Sequence, residues 1–243
     1  LALGGALLVG DSVTARLGVA TEPRPNPPAL ENVLRPVAEW NERLNALQPA
    51  FLAGYPTALR LLAHEQHARR LAIAPSIVWS GGEHLTSAAR RAIERAFGAL
   101  VIDEYGSSEC LSIAVGCGHG WLHLNADWVV LEAVDAQHRA VPPGTLSHTA
   151  LLTNLANRVQ PVIRYDVGDR IVYRPEPCEC GSPLPALRVQ GRCDDVVTLR
   201  RRDGARVRLL PMALTTAIEE GADLHLFQLV RHSDRELAIR LPE

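Results

Sequence analysis

The chain contains no lysine: its 25 basic residues are all arginine, in 243 residues. Nothing that depends on a lysine side chain can be carried within these residues. No stretch approaches the roughly 20 apolar residues that a membrane-spanning helix needs. Formal net charge is −2, which argues against nucleic-acid or acidic-membrane binding through bulk electrostatics. No internal repeat or low-complexity tract is present. The opening LALGGALLVGDS has neither a basic leader nor a starting Met, so it is not read as a signal peptide. It begins in mid-pattern, and the chain closes at AIRLPE just after a strand-like run; both suggest a piece of a longer protein. Cysteine is sparse at five residues, two of them in Cys178-Glu179-Cys180. That usage suits an intracellular metal site better than a disulfide framework, and the cytoplasm is the expected location.

What is present is the composition of a globular protein, 47% apolar and 21% charged, with ample material for a core. Residues 1 to about 20 read as a strand and a turn or short helix, followed by the proline-rich loop TEPRPNPP. Val37, Trp40, Leu44 and Leu47 follow helical spacing, and a second helix is expected after Pro56, continuing through LAI. PSIVWSGGEHL reads as a strand into a glycine turn, and Thr86 suits the N-cap of a helix ending near Gly98. ALVIDEY is the next strand. Strand and helix alternate here, so a helix-covered, mostly parallel sheet is expected over residues 1–125. From 126 to 192, short strand candidates separated by Pro, Gly and Asn/Asp turns suggest a β-barrel-like subdomain. Residues 195–243 read as the start of a small α+β C-terminal domain, its helix PMALTTAIEE stopped at Gly221. The fold class is therefore α/β.

The segment VIDEYGSSEC stops a hydrophobic strand at Tyr105, Gly106, Ser107, Ser108 and Glu109. A polar turn is the plain reading. Parallel sheets, however, present ligands beyond the carboxyl ends of their strands. There Tyr105 could stack on a flat ring and Gly106 would let backbone approach a ligand. Ser107 and Ser108 could donate to phosphate, and Glu109 could hold Mg²⁺. Ser80-Gly81-Gly82-Glu83 follows another strand one helix earlier; in isolation it is an ordinary strand-to-helix turn. PVIRYDVGDR sets Arg164, Tyr165, Asp166 and Asp169 around a strand and turn, with a carboxylate suited to ribose hydroxyls or to a salt-bridged hairpin. GRCDD adds Arg192 and Asp194 at an apparent domain junction, where a surface turn is the plain reading.

Taken in order, Gly-Gly-Glu, Tyr-Gly-Ser-Ser-Glu, Arg-Tyr-Asp-x-Gly-Asp and Gly-Arg-x-Asp-Asp resemble the adenylate-forming (AMP-binding) superfamily of acyl-CoA synthetases. LNALQPAFLAGYPTALRLLA, SGGEHLT and EYGSSE look like its phenylacetate–CoA ligase branch. The resemblance implies an enzyme that condenses a small carboxylic acid with ATP to an acyl-adenylate and passes the acyl group to a thiol such as coenzyme A. It also implies roles: Gly82 and Glu83 line the adenine, Tyr105 and Gly106 lie against the base, and Ser108 contacts the α-phosphate. Glu109 holds Mg²⁺, Asp169 takes the ribose hydroxyls, Arg192 assists there, and Asp194 is the hinge of the C-terminal domain. Two family parts are absent from the sequence, the Ser/Thr/Gly-rich phosphate loop and the catalytic lysine. A non-catalytic nucleotide-binding relative is thus a second expectation.

Cys117 lies in GCGHGWLH with His119 and His123 close behind, and Cys178 and Cys180 form a Cys-x-Cys-Gly turn. Soft ligand pairs on glycine-bearing loops suit tetrahedral Zn²⁺. The branch often carries a cysteine before Gly-x-Leu-His and a later Cys-x-Cys-Gly, which implies Cys117, His123, Cys178 and Cys180 as a structural zinc set, with His119 the rival histidine. A zinc-stabilised interaction module is the third expectation. Cys110 and Cys193 read as small buried hydrophobes. Tyr55, Trp79 and His84 could border an acyl pocket, though core packing accounts better for the first two. The sequence names neither the acid nor the acceptor, and an oligomer is compatible with it.

Overall fold

A computed structural model describes residues 5–9, 29–32, 35–201, 203–222, 224 and 227–241, with backbone alone for the first two segments. The proline-rich loop and most of the first 20 residues lie outside the described residues. The chain forms two compact units, residues 1–106 and 107–243.

The first unit holds β1 (Gly5–Val9), β2 (Ala29–Asn32), α1 (Val37–Leu47), β3 (Phe51–Gly54), α2 (Pro56–His67), β4 (Ile77–Gly81), α3 (Ser87–Phe97) and β5 (Leu100–Ser107). Its strands run parallel in the order β5-β4-β3-β1-β2. The helical spacing read in the sequence is the core stripe. Trp40 and Leu44 of α1, Leu59 and Leu62 of α2, and Ile93 and Phe97 of α3 pack with Leu52, Val78 and Val101 of the strands. Helix α3 starts and stops as its sequence dictates. Thr86 Oγ1 accepts the Ala89 N–H at 3.2 Å, and Gly98 closes the helix in the left-handed conformation. Pro56 opens α2 at its first position.

Three boundaries differ from expectation. Helix α2 ends at His67 rather than running to Ile73. Leu71 and Ile73 are still buried, in extended chain held by Gln66, whose side chain bonds both the N–H and the carbonyl of Ile73; buried apolar residues there imitate a helical stripe. Strand β5 continues to Ser107, so Tyr105 and Gly106 lie within it and only Ser108 and Glu109 form the turn. Gly221 is inside its helix rather than ending it.

The second unit holds β6 (Cys110–Gly116), β7 (Leu122–Leu124), β8 (Val129–Val134), β9 (Thr149–Asn154), β10 (Val162–Asp166), β11 (Asp169–Tyr173) and β12 (Ala186–Arg192). The hairpin β13 (Val197–Arg200) and β14 (Arg206–Leu209), helix α4 (Pro211–Ala222) and the hairpin β15 (Gln228–Arg231) and β16 (Leu237–Arg240) follow. All its pairings are antiparallel: β11-β12-β7-β6 in one run, β10-β9-β8 in another, and the two hairpins. Buried Ser147 ties the two larger sheets, its N–H donating to the Ile171 carbonyl and its Oγ accepting the Ile171 N–H. The molecule is thus α/β, a parallel-containing sheet with smaller antiparallel sheets. Among the described residues, no helix is long and apolar enough to cross a membrane.

Candidate functional site

In the first unit, the carboxyl ends of β4 and β5 carry the Gly-Gly-Glu residues and the start of the acidic motif. Gly82 has φ +81°, and a Cβ there would lie 2.7 Å from the Tyr55 ring, so the aromatic ring rests on bare backbone. Glu83 Oε2 accepts the Thr57 N–H at 3.2 Å, which makes this carboxylate a cap for the N-terminus of α2. The Trp79 indole donates to Glu104 at 2.7 Å. Burial pushes the Asp103 carboxyl up to about 6, against the opposing charge of Arg90. Tyr105 and Gly106 are half-buried.

The second unit gathers Ser107, Glu109, Tyr165, Asp169 and Arg192. Ser108 stands exposed in the turn. Burial acts to raise the Glu109 carboxyl, but hydrogen bonds outweigh it; its own N–H, Ser107 and Tyr165 act with the Arg192 charge to hold it below the ordinary carboxylate value. The Ser107 Oγ is buried beside that carboxylate. The Tyr165 phenol is held protonated, first by its hydrogen bond to Glu109. Behind them Asn154 Nδ2 donates to the Glu109 carbonyl at 3.2 Å.

The Asp166–Asp169 turn presents the ribose candidate. The Asp166 carboxylate accepts the Thr149 hydroxyl and, at 2.9 Å, the Gly168 N–H. Gly168 takes φ +73° beneath Arg192, whose Nη2 would meet a Cβ there at 2.6 Å. Arg192 Nη1 then reaches Asp169 Oδ1 at 3.5 Å and donates to the Val167 carbonyl at 3.1 Å. Opposed positions of β11 and β12 put this pair in register. Asp194, exposed, lies beyond it with Cys193 Sγ 3.5 Å from its Oδ1. The sequence reading passed over Asn154 and gave Tyr165 no role of its own; no compositional signal marks either.

Elsewhere in this unit the ligand atoms of Cys117, His123, Cys178 and Cys180 all lie within 4.8 Å of one another. Cys117 and His123 flank the β6–β7 turn, while Cys178 and Cys180 sit in the β11–β12 connection. The Cys117 and Cys178 sulfurs are 3.7 Å apart, and Cys180 Sγ is 3.1 Å from His123 Nε2. Two thiolates on one tetrahedral zinc, each at ~2.3 Å, stand about 3.8 Å apart. His123 Nδ1 is 3.0 Å from the Leu184 carbonyl, which selects the Nδ1–H tautomer and turns the Nε2 lone pair to the thiols. The Cys180 N–H, aimed at Cys178, leads the forces that draw the Cys178 thiol down to about 6 against burial. His119 is turned away, its Nδ1 4.0 Å from Glu179. Trp121 joins the two loops: the Arg188 and Arg174 guanidinium carbons lie 4.0 and 5.4 Å from its ring centre. Cys110 and Cys193 stay outside the cluster.

No protein-family model matches the chain. Protein CapK of Staphylococcus aureus is 27% identical over 132 residues, which cover 54% of this chain and 28% of CapK. 2-Hydroxyisobutyryl-CoA ligase, solved in the postadenylation state with R3-HIB-AMP, superposes with a TM-score of 0.72 at 25% identity, covering 87% of this chain and 47% of the ligase. A benzoate CoA ligase from Burkholderia xenovorans LB400 gives a TM-score of 0.53 at 19% identity, over 79% of this chain and 48% of its own. The chain spans less than half the length of each of these relatives. It has the fold of the adenylate-forming acyl-CoA ligases.

Proposed function

We propose that the protein to which this chain belongs activates a carboxylic acid with ATP and transfers the acyl group to a thiol such as coenzyme A, in the manner of phenylacetate–CoA ligases. The observation that carries the reading is the Glu109 carboxylate, kept ionised beside the buried Ser107 hydroxyl and the Asp169–Arg192 pair, in a chain with this fold. In the reaction a carboxylate oxygen of the acid attacks the α-phosphorus of ATP, and the bond to the bridging oxygen breaks to release pyrophosphate. The resulting adenylate then loses AMP to the incoming thiolate.

Such a step needs positioned groups and charge neutralisation more than covalent help from the protein. Glu109 and the hydroxyls of Ser107 and Ser108 offer the hard oxygen donors that Mg²⁺ takes alongside phosphate. Mg²⁺, when bound, neutralises charge on the phosphates. Asp169 accepts from the ribose hydroxyls, and Arg192, already on Asp169, donates to the same sugar. By the family resemblance, Gly82, Glu83, Tyr105 and Gly106 are assigned to the base and Asp194 to the hinge. Cys117, His123, Cys178 and Cys180 hold a structural Zn²⁺, for all four ligand positions are supplied by protein and none is left for water.

ATP–pyrophosphate exchange over a panel of carboxylic acids, measured on the full protein, tests the reading. Glu109→Gln is expected to lower Mg²⁺-dependent exchange by about a hundredfold or more. AMP binding without exchange for any acid would replace the enzyme with a nucleotide-binding relative, and zinc without AMP binding would replace both with an interaction module.

A further inference from the structure

Strand β10 contains one residue more than its partner requires. Val162 stands opposite Asn154, whereas Tyr165 stands opposite Leu152. Residues directly opposite in an antiparallel pair share a face. Val162 and Tyr165 therefore point to the same side although they are three positions apart, an odd spacing that only a bulge produces. The bulge centres on Arg164, whose φ of +47° is one that residues with a Cβ rarely adopt. Its cost, on the order of 1 kcal/mol, is offset by three bonds from Arg164. The N–H donates to Thr153 Oγ1 at 3.0 Å, Nε donates to Glu132 at 3.0 Å, and Nη2 reaches the His138 carbonyl at 3.4 Å.

The bulge decides where Tyr165 points. In an unbulged strand a shift of one residue would send it to the opposite face, that of Glu132, Leu151 and Asp166. As folded, Tyr165 shares a face with Asn154, and both side chains end on one residue of the turn after β5. Asn154 donates to the Glu109 carbonyl at 3.2 Å, and the Tyr165 hydroxyl lies close enough to the Glu109 carboxylate to help hold it ionised. With its backbone held by Asn154 and the Tyr165 hydroxyl beside its carboxylate, Glu109 has less freedom to swing away.

We propose that Asn154 and Tyr165 form a two-point clasp, aimed by the Arg164 bulge, that orients the Glu109 carboxylate toward the divalent cation carried by ATP. Both are positioning residues: they act through Glu109. The inference rests on the nucleotide-site reading given above. Hydrogen-bonded partners of a ligating carboxylate are worth about 10–100-fold in metal affinity or activity.

The test uses the full protein, its Tyr165→Phe and Asn154→Ala variants, and two readouts. Mn²⁺ binding in the presence of ATP is followed by electron paramagnetic resonance, and Mg²⁺ activation is followed by ATP–pyrophosphate exchange. Tyr165→Phe keeps the ring and removes only the hydroxyl. It is expected to weaken Mn²⁺ binding and to raise the half-saturating Mg²⁺ concentration by about tenfold or more, with KM for the acid unchanged. Asn154→Ala is expected to shift both in the same direction. Mn²⁺ affinity unchanged in Tyr165→Phe, or a wild-type protein that binds no Mn²⁺ with ATP, would overturn the clasp. A wild-type protein that binds Mn²⁺–ATP but exchanges no pyrophosphate would sink the ligase reading alone, and the Mn²⁺ measurement would still decide the clasp.

Discussion

The two units reach their order by different physical means. The first is a parallel sheet backed by three helices, and its core is a continuous apolar cluster from Trp40 to Val101. Its polar groups at the strand ends are engaged locally: Glu83 on α2, Glu104 on Trp79. The second is antiparallel and built of short strands, and polar knots fix its geometry. The four-residue Cys–His cluster joins two loops, the Asp166 turn supports Asp169, and the Arg164 bulge aims Tyr165. Helices of 11 or 12 residues give the first unit a long apolar stripe to bury, whereas the second unit, with one helix among its short strands, relies more on discrete ties between its loops.

The largest expected effect comes from removing the proposed zinc. The full protein is expected to carry one zinc per chain by elemental analysis. Cys178→Ser, or a strong chelator, should then cost about 4 kcal/mol and roughly 10 °C in Tm. Amide hydrogen exchange sharpens the comparison: β7, β11 and β12 should lose protection while α2, α3, β3 and β4 keep theirs. Equal loss in both units would break the distinction, and a metal-free wild-type protein with unchanged protection would remove the zinc.

That asymmetry also explains what could be read in advance. Helices α1, α2 and α3 were legible because burial repeats along them with the helical period, and Thr86 and Gly98 mark the ends of α3 chemically. The cysteine loops stood out as pairs of soft ligands, and the structure brings them together, whereas the glycine-flanked acids read singly as turns and stood out only by their order along the chain. Strand β3 is four residues between two helices, too short for its periodicity to show, and β7 is three. The selection of His123 over His119 depends on the Leu184 carbonyl, which is remote in sequence. The bulge that turns Tyr165 depends on Thr153 and Glu132 in neighbouring strands, so nothing within PVIRYDVGDR records it.

A smaller effect probes the first unit. Glu65 is buried at 4% exposure and takes both oxygens to Arg70, at 2.7 Å each, with Asn41 Nδ2 at 2.6 Å. The Arg70 hydrogen bonds, against burial and with help from Asn41, hold its carboxyl at about 2 instead of the ordinary 4.5. A depressed folded-state value means that the stabilisation is complete above pH 4.5 and disappears as pH falls through 2. Glu65→Gln is therefore expected to cost about 2–3 kcal/mol at pH 7. In urea titrations the difference from wild type should shrink between pH 4.5 and pH 3. A pH-independent difference would mean that shape, not charge, is what Glu65 supplies. The zinc content should not move, which separates this knot from the one in the second unit.

The smallest effect has the opposite sign, and Asp103 supplies it. It lies opposite Ser80 in the β4–β5 pairing, next to the buried residues that α3 covers. Burial pushes its carboxyl up to about 6 from the ordinary 3.8, more than the Arg90 charge pulls it down. A raised folded-state value favours the folded protein at low pH, and that advantage is lost as pH rises from 3.8 through 6. At pH 8 the folded state must therefore accommodate a charge that packing opposes. Asp103→Asn should remove that penalty, gaining on the order of 1–2 kcal/mol at pH 8 and little at pH 4. If the gain is equal at both pH values, desolvation of the carboxylate is not its cause. If stability instead falls at pH 8, the Arg90 charge outweighs burial, and the first unit would prove to depend on a buried ion pair at this position much as it does at Glu65.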